Sequence, residues 1–276
     1  MNRKQFLTYI PGVSFIHRMT GTSKLIFFIF VSVSSMITFD TRFLLSIGIL
    51  SLILLKLSGI KYRDIRFVTR IVFVFAVLNL TAVYLFQPTH GEVLYGSRTV
   101  LFGRGYLTFT AEQGFYMFNL ALKYFVTLPL ALLFVLTTSP SEFASSLNSI
   151  GVSYKVAYSV ALALRYIPDI QDEFFDITHA QQARGYEMSK KASLLKRLKG
   201  IAQIIFPLIF VSLEKIDTVT TAMELRRFGK LKKRTWYMYR PMTKYDAFGI
   251  ISAIVILGVC IWLFYVNGGR FYNPFL

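Results

Sequence analysis

Apolar residues run in long blocks along this chain, and polar residues collect between the blocks. Leu25 to Phe39 is apolar, Asp40, Thr41 and Arg42 interrupt, and Phe43 to Leu57 is apolar again. A membrane-crossing helix needs about 20 such residues, with roughly 17–25 usual. The two blocks therefore predict a tight helical hairpin of two short spans with its turn at Asp40–Arg42. A secretory signal peptide would also open with an apolar block. Here a second block follows at once, with no Ala-x-Ala cleavage site between them. Phe67 to Phe86 predicts a third span, Ala111 to Thr138 a fourth that is long enough to tilt, and Tyr245 to Val266 a fifth. Between the third and fourth, Val93–Tyr95 and Thr99–Phe102 predict a small hairpin around Gly96-Ser97. Gly103-Arg104-Gly105 reads as a surface turn, too short for a nucleotide fingerprint.

Residues 139–243 follow a different pattern. Ser139-Pro140-Ser141-Glu142 is a helix start, with a capping serine, a proline at the first helical position and a glutamate placed for a capping box. That helix stops near Gly151. Ser153 predicts the cap of a second helix running to about Arg184, ended by Gly185, and Ser189 the cap of a third running to about Phe228, ended by Gly229. Pro168 and Pro207 should bend these two. Val156 to Leu164 and Ile201 to Leu213 are almost wholly apolar. The longer run covers about 20 Å at 1.5 Å per residue, too little to cross ~30 Å of hydrocarbon. Each then passes into charge: Asp169, Asp172, Glu173 and Asp176 after the first, Glu214, Lys215, Asp217 and Glu224 after the second. Each helix thus has one end suited to lipid or an apolar partner and one suited to water. The chain divides accordingly into residues 1–138, with four spans; 139–243, a cytoplasmic helical module; and 244–276, with the last span.

Composition and charge sharpen this all-α membrane reading. The 276 residues are 54% hydrophobic and 16% charged, with mean hydropathy +0.52 and a formal net charge of +17. The basic residues must then lie outside the lipid. They sit in the N-terminal segment (Arg3, Lys4, Arg18, Lys24), between spans two and three (Lys61, Arg63, Arg66) and throughout 139–243. By the positive-inside rule those segments are cytoplasmic. Five crossings place the N-terminus in the cytoplasm and the C-terminus outside. Lys123 falls inside the fourth span, where an ionisable residue is either functional or snorkelling. No acidic partner is visible at depth, which favours snorkelling and argues against an ion-coupled carrier. The single cysteine, Cys260, lies in an apolar run and reads as packing.

One short repeat stands out. Thr178, Ala180, Arg184 and Tyr186 recur 42 positions later as Thr220, Ala222, Arg226 and Phe228. A lone arginine at a helix C-terminus usually complements the helix dipole. A duplicated one suggests two similar sockets on a partner, since the guanidinium fork suits carboxylates and carbonyls in a groove and arginine is enriched at interface hot spots. The basic runs (Lys190, Lys191, Lys196, Arg197, Lys199 and Lys230–Arg234) also suit acidic head groups. No Walker loop, His-Glu-x-x-His, Gly-x-Ser-x-Gly elbow or other catalytic constellation is present. The aromatic residues lie mainly in the spans rather than among the basic runs, which argues against nucleic acid.

These residues match a known pattern. Ala183-Arg184-Gly185 is identical to the Ala-Arg-Gly signature of the transmembrane T component of energy-coupling factor (ECF) vitamin transporters, and Leu225-Arg226-Arg227 resembles its second, arginine-centred signature. Tyr9-Ile10-Pro11-Gly12, Ser14, His17-Arg18 and Thr22-x-Lys24 resemble that family's opening segment. The resemblance implies a non-catalytic subunit, without cofactor or metal, that joins two related ATP-binding subunits to a small substrate-binding S component. Arg184 and Arg226, flanked by Ala183, Gly185, Leu225 and Arg227, would dock the ATPases. Leu225 and Arg227 are bulkier than the Ala and Gly they replace, which fits two non-identical ATPases. The rival readings are a membrane-embedded scaffold or lipid-surface anchor, and a stand-alone secondary carrier.

Overall fold

The computed structural model describes residues 9–12, 14–103, 105–185, 194–231, 235–236 and 240–275. They form two compact units, Met1–Ser146 with Arg240–Leu276, and Leu147–Tyr239.

The first unit is built on five helices: α2 (Gly21–Ile37), α3 (Thr41–Leu57), α4 (Tyr62–Phe86), α6 (Ala111–Thr137) and α10 (Lys244–Val266), preceded by the single turn α1 (Phe15–Arg18). α4, α6 and α10 have 25, 27 and 23 residues and are long and apolar enough to cross a membrane. α2 and α3 have 17 residues each, about 25 Å at the helical rise and the lower limit for a span. Their hairpin turns at Thr38–Asp40, slightly earlier than the expected Asp40–Arg42, because Thr41 and Arg42 already belong to α3. Asp40 ends the turn and caps α3, its carboxylate accepting from Arg42 N at 2.9 Å and Phe43 N at 3.4 Å.

α6 is the central element, packed against α2, α3 and α4, while α10 packs on α2. Val31, Leu44, Val126 and Leu130 form the middle of the core. Between membrane helices lipid is as apolar as leucine, so close contact rather than the hydrophobic effect holds such a core. Small residues supply that contact. A Cβ on Gly48 would lie 2.9 Å from Phe125 Cδ1 on α6. Cys260 is buried in this core, its thiol against the Ser34 carbonyl, as packing. The outer faces of α4 and α10 stay bare: Phe73 is 67% exposed, Phe86 79% and Tyr265 79%. Faces this apolar suit lipid or an apolar partner.

The bundle has two distinct polar ends. At one, Asp246 is fully buried and joins the starts of two helices. Its Oδ1 accepts from Thr20 N (2.6 Å), Thr20 Oγ1 (2.9 Å) and Ser23 Oγ (2.6 Å), and its Oδ2 from Thr243 N (2.6 Å) and Thr243 Oγ1 (2.8 Å). One carboxylate thus accepts the N-cap N–H of both α2 and α10. Lys24 donates to the Thr137 carbonyl at 2.8 Å and pairs with Glu142 at 3.5 Å. Glu142 therefore turns to Lys24, while only Ser139 performs the predicted cap of α7 (Pro140–Ser149), accepting from Glu142 N at 3.2 Å. At the other end, Phe39 N donates to the Arg270 carbonyl at 2.7 Å, and Asn267 Nδ2 donates to Asp40 at 2.7 Å. Tyr9–Gly12 and the tail after α10 lie at opposite ends of this bundle, since Ile10 N bonds the Leu136 carbonyl at the first end.

The segment between α4 and α6 corrects one expectation. The hairpin of Val93–Tyr95 with Thr99–Phe102 does not form. His90–Tyr95 is a helical turn, α5, closed by Gly96 at φ 70°. Val100–Phe102 (β1) pairs instead with Phe109–Thr110 (β2), across the glycine turn. Gly91 decides it: a Cβ there would fall 2.5 Å from Gln113 N, and the Gly91 N–H is taken by the Gln113 side chain at 2.8 Å. The 90–95 stretch is thereby bound to the start of α6 and is not available as a strand.

Lys123, midway along α6, finds its partners within the bundle. Its ammonium donates to the Met36 carbonyl at 2.7 Å and lies 3.3 Å from the Phe39 ring centroid, capping the end of α2. The two acidic residues inside the span-length helices α6 and α10, Glu112 and Asp246, sit in first turns rather than at depth. Glu112 accepts from Ser97 Oγ and Thr99 N, both at 3.0 Å.

Candidate functional site: two arginine-capped helix ends

The second unit is dominated by α8 (Tyr154–Ala183) and α9 (Leu194–Leu225), both unbroken across Pro168 and Pro207. Ser153 caps α8 as its sequence position predicts, accepting from Val156 N at 3.4 Å. The predicted cap of the third helix, Ser189, lies outside the described residues, as do Tyr186, Lys190, Lys191 and Lys232–Arg234. The helices pair antiparallel: Gln181 Nε2 donates to the Gln203 carbonyl at 3.4 Å, Lys215 donates to Glu173, and Phe228 packs on Tyr158 with ring centroids 4.7 Å apart. Later residues of α8 meet earlier residues of α9. Their C-terminal ends, which carry the two arginines, therefore lie at opposite ends of the pair.

The two ends share one backbone design. Arg184 is the C-cap of α8, and its N–H reaches the Ala180 carbonyl at 3.2 Å. Gly185 follows with φ 84°, and its N–H bonds the Gln182 carbonyl at 3.0 Å. Arg226 repeats this on Ala222 at 3.2 Å, and Arg227 on Glu224 at 2.8 Å. Phe228 N then bonds the Met223 carbonyl at 2.9 Å, which completes a Schellman cap. Its left-handed position is Arg227, at φ 55°. Arg227 is the one non-glycine residue with positive φ among the described residues. The Leu-Arg-Arg triplet thus folds like Ala-Arg-Gly despite its bulk, at a strain of roughly 1–2 kcal/mol.

What differs is the support. Phe228 sits among Tyr158, Tyr154 (5.7 Å) and, through them, Trp236, which is 5.4 Å from Tyr154. The Trp236 indole N–H donates to Asn148 Oδ1 at 3.1 Å. This aromatic clasp holds the second cap, and the sequence reading missed it because its members are 82 positions apart along the chain, from Tyr154 to Trp236. Arg184, Gly185, Arg226 and Arg227 are all exposed, and Leu225 is 81% exposed. Along the shafts Phe206 (62%) and Phe210 (68%) are equally bare. Between the shafts, the Glu173 carboxylate raises the Lys215 ammonium above its ordinary value. Among the described residues, no cluster of three or more His, Cys, Asp or Glu is placed to hold a metal ion.

A bundle with three span-length apolar helices, continued in the same chain by an antiparallel pair of half-apolar helices that each end in an exposed arginine cap, is the architecture of an all-α membrane protein. Residues 12–237 match the family of CbiQ cobalt transport proteins, and the chain belongs to that family. Its relatives are energy-coupling factor transporter transmembrane proteins. That of Bacillus selenitireducens is 31% identical over 242 residues, 83% of this chain and 85% of the relative. That of Lactococcus lactis subsp. cremoris is 26% identical over 259 residues, 90% of this chain and 93% of its own. That of Exiguobacterium sibiricum is 27% identical over 272 residues, 95% and 98%. The chain is thus an ECF transporter transmembrane component and a membrane protein.

Proposed function

We propose that this subunit is non-catalytic and transmits work from ATP-binding subunits to a substrate-binding S component of a vitamin or metal importer in the cell membrane. Arg184 and Arg226 dock one ATP-binding subunit each, and Ala183, Gly185, Leu225 and Arg227 shape the two contacts. The observation that carries this reading is the repetition of one exposed cap geometry at both ends of a helical pair, in a member of a transporter family.

The unlike triplets support two related but non-identical ATPases. The bare apolar shafts of α8 and α9 support contact with the S component or lipid. Orientation follows from charge: the N-terminus and residues 139–243 are cytoplasmic and the C-terminus external. Arg184→Ala or Arg226→Ala is expected to weaken co-purification of the ATP-binding subunits while membrane insertion is kept, and the double change is expected to abolish it. Full co-purification by the double variant would overturn the docking role and leave a scaffold or lipid anchor. A reporter fused after Leu276 should read out externally.

A further inference from the structure

The repeat has a symmetry that reaches beyond the arginines. Glu173 and Lys215 are themselves 42 positions apart, the same offset that relates Arg184 to Arg226, and they bond to each other. Two helices related by a two-fold axis bring equivalent residues into contact only on that axis. The ion pair lies where a local two-fold axis relating the two copies of the repeat would pass. Arg184 lies 11 residues after Glu173, and Arg226 lies 11 after Lys215. The two arms are equal, about 16 Å each at the helical rise.

We propose that Glu173 and Lys215 are positioning residues: the fulcrum on which α8 and α9 turn, keeping both arginine caps at matched distance so that closure of the ATP-binding subunits moves both ends together. The inference rests on the docking reading above. With arms of about 16 Å, a turn of about 10° displaces each cap by about 3 Å. The packing suits rotation. Ile204, the one fully buried large apolar side chain of α9 among the described residues, lies 11 residues from Lys215, so it does not lock the crossing, and Phe206 and Phe210 are exposed. Lysine suits the site, because its ammonium is a point charge on a flexible stem and keeps its partner through a change of angle better than a rigid bidentate fork would. Glu173 is largely sheltered, at 19% side-chain exposure, and Asp169 also acts on Lys215. Reversing Lys215 therefore sets three carboxylates against one another.

The test uses the full chain in nanodiscs, with and without its co-expressed ATP-binding subunits. Cys260→Ser removes the native thiol, and Gln182→Cys with Phe206→Cys carries spin labels at exposed positions on the two helices at the same end of the pair, each nine residues or about 14 Å from the ion pair, so that a mutual turn of about 10° changes their separation by about 2 Å. The expected result is one narrow distance in the parent, which shifts when Mg-ATP is added to the assembly. Glu173→Lys or Lys215→Glu should broaden the distribution and remove the ATP-dependent shift while the ATP-binding subunits stay attached. The combined swap Glu173→Lys with Lys215→Glu should restore both. The fulcrum is overturned if single reversals behave as the parent, if the swap is no better than the singles, or if the parent distance ignores ATP. Loss of the ATP-binding subunits belongs to the arginine variants, so a failure of docking is read separately.

Discussion

Arg227 shows how a single residue can keep a geometry its side chain disfavours. It occupies the left-handed position that Gly185 fills in the first copy. Gly185→Ala should therefore weaken its helix end by about 1 kcal/mol, whereas Arg227→Gly should leave the second end unchanged or slightly firmer. Hydrogen exchange at the last turn of α8 and α9 checks both. Asp40 is a second case. It is fully buried, and burial pushes its carboxyl up, yet bonds from Arg42 and Asn267 outweigh this and hold it below the ordinary carboxylate value. A depressed folded pKa contributes stability that is fully present above the unfolded value of about 3.9 and is lost as pH falls through the folded one. Asp40→Asn should remove that contribution at pH 7 and flatten the fall in melting temperature on acidification. A variant that melts with the parent's pH profile would contradict the assignment.

At the scale of elements, period and punctuation in the sequence determined more than the connections did. The apolar blocks, Ser139, Ser153 and the glycine after Arg184 were enough to place most of the helices, because each carries a local cause: lipid length, a cap, a left-handed residue; α9 instead ends at Leu225, short of the expected Phe228, because Arg227 and not Gly229 takes the left-handed position of its cap. The 93–102 hairpin was misread because its competitor was tertiary, the Gln113 side chain taking the Gly91 N–H. The Asp246 hub was invisible for the same reason: Thr20 is 226 positions from it. That hub makes a strong element-level prediction. Asp246→Asn substitutes an N–H donor where five donors converge, and should cost about 1–3 kcal/mol through groups left unsatisfied. Thermal unfolding of the purified chain measures this, and an unchanged midpoint would show that the two helix starts do not depend on the carboxylate. Gly48→Leu should likewise loosen α3 from α6 by about 1–3 kcal/mol through overpacking.

For the whole molecule, the sequence made the arginine caps legible through their repetition, but not the antiparallel pairing that sets them at opposite ends, nor the ion pair between. Those depend on which faces of α8 and α9 meet, and two shafts that are apolar on several sides do not announce that. The account rests on each cap facing an ATP-binding subunit. The most direct measurement is photocrosslinking in native membranes from Ala183→Cys and Leu225→Cys, each in a Cys260→Ser background and labelled with a benzophenone maleimide, followed by mass spectrometry of the adducts. The account predicts an ATP-binding subunit captured from each position, a different one of the two from each. Adducts formed only with lipid, or with this chain's own membrane helices, would contradict it.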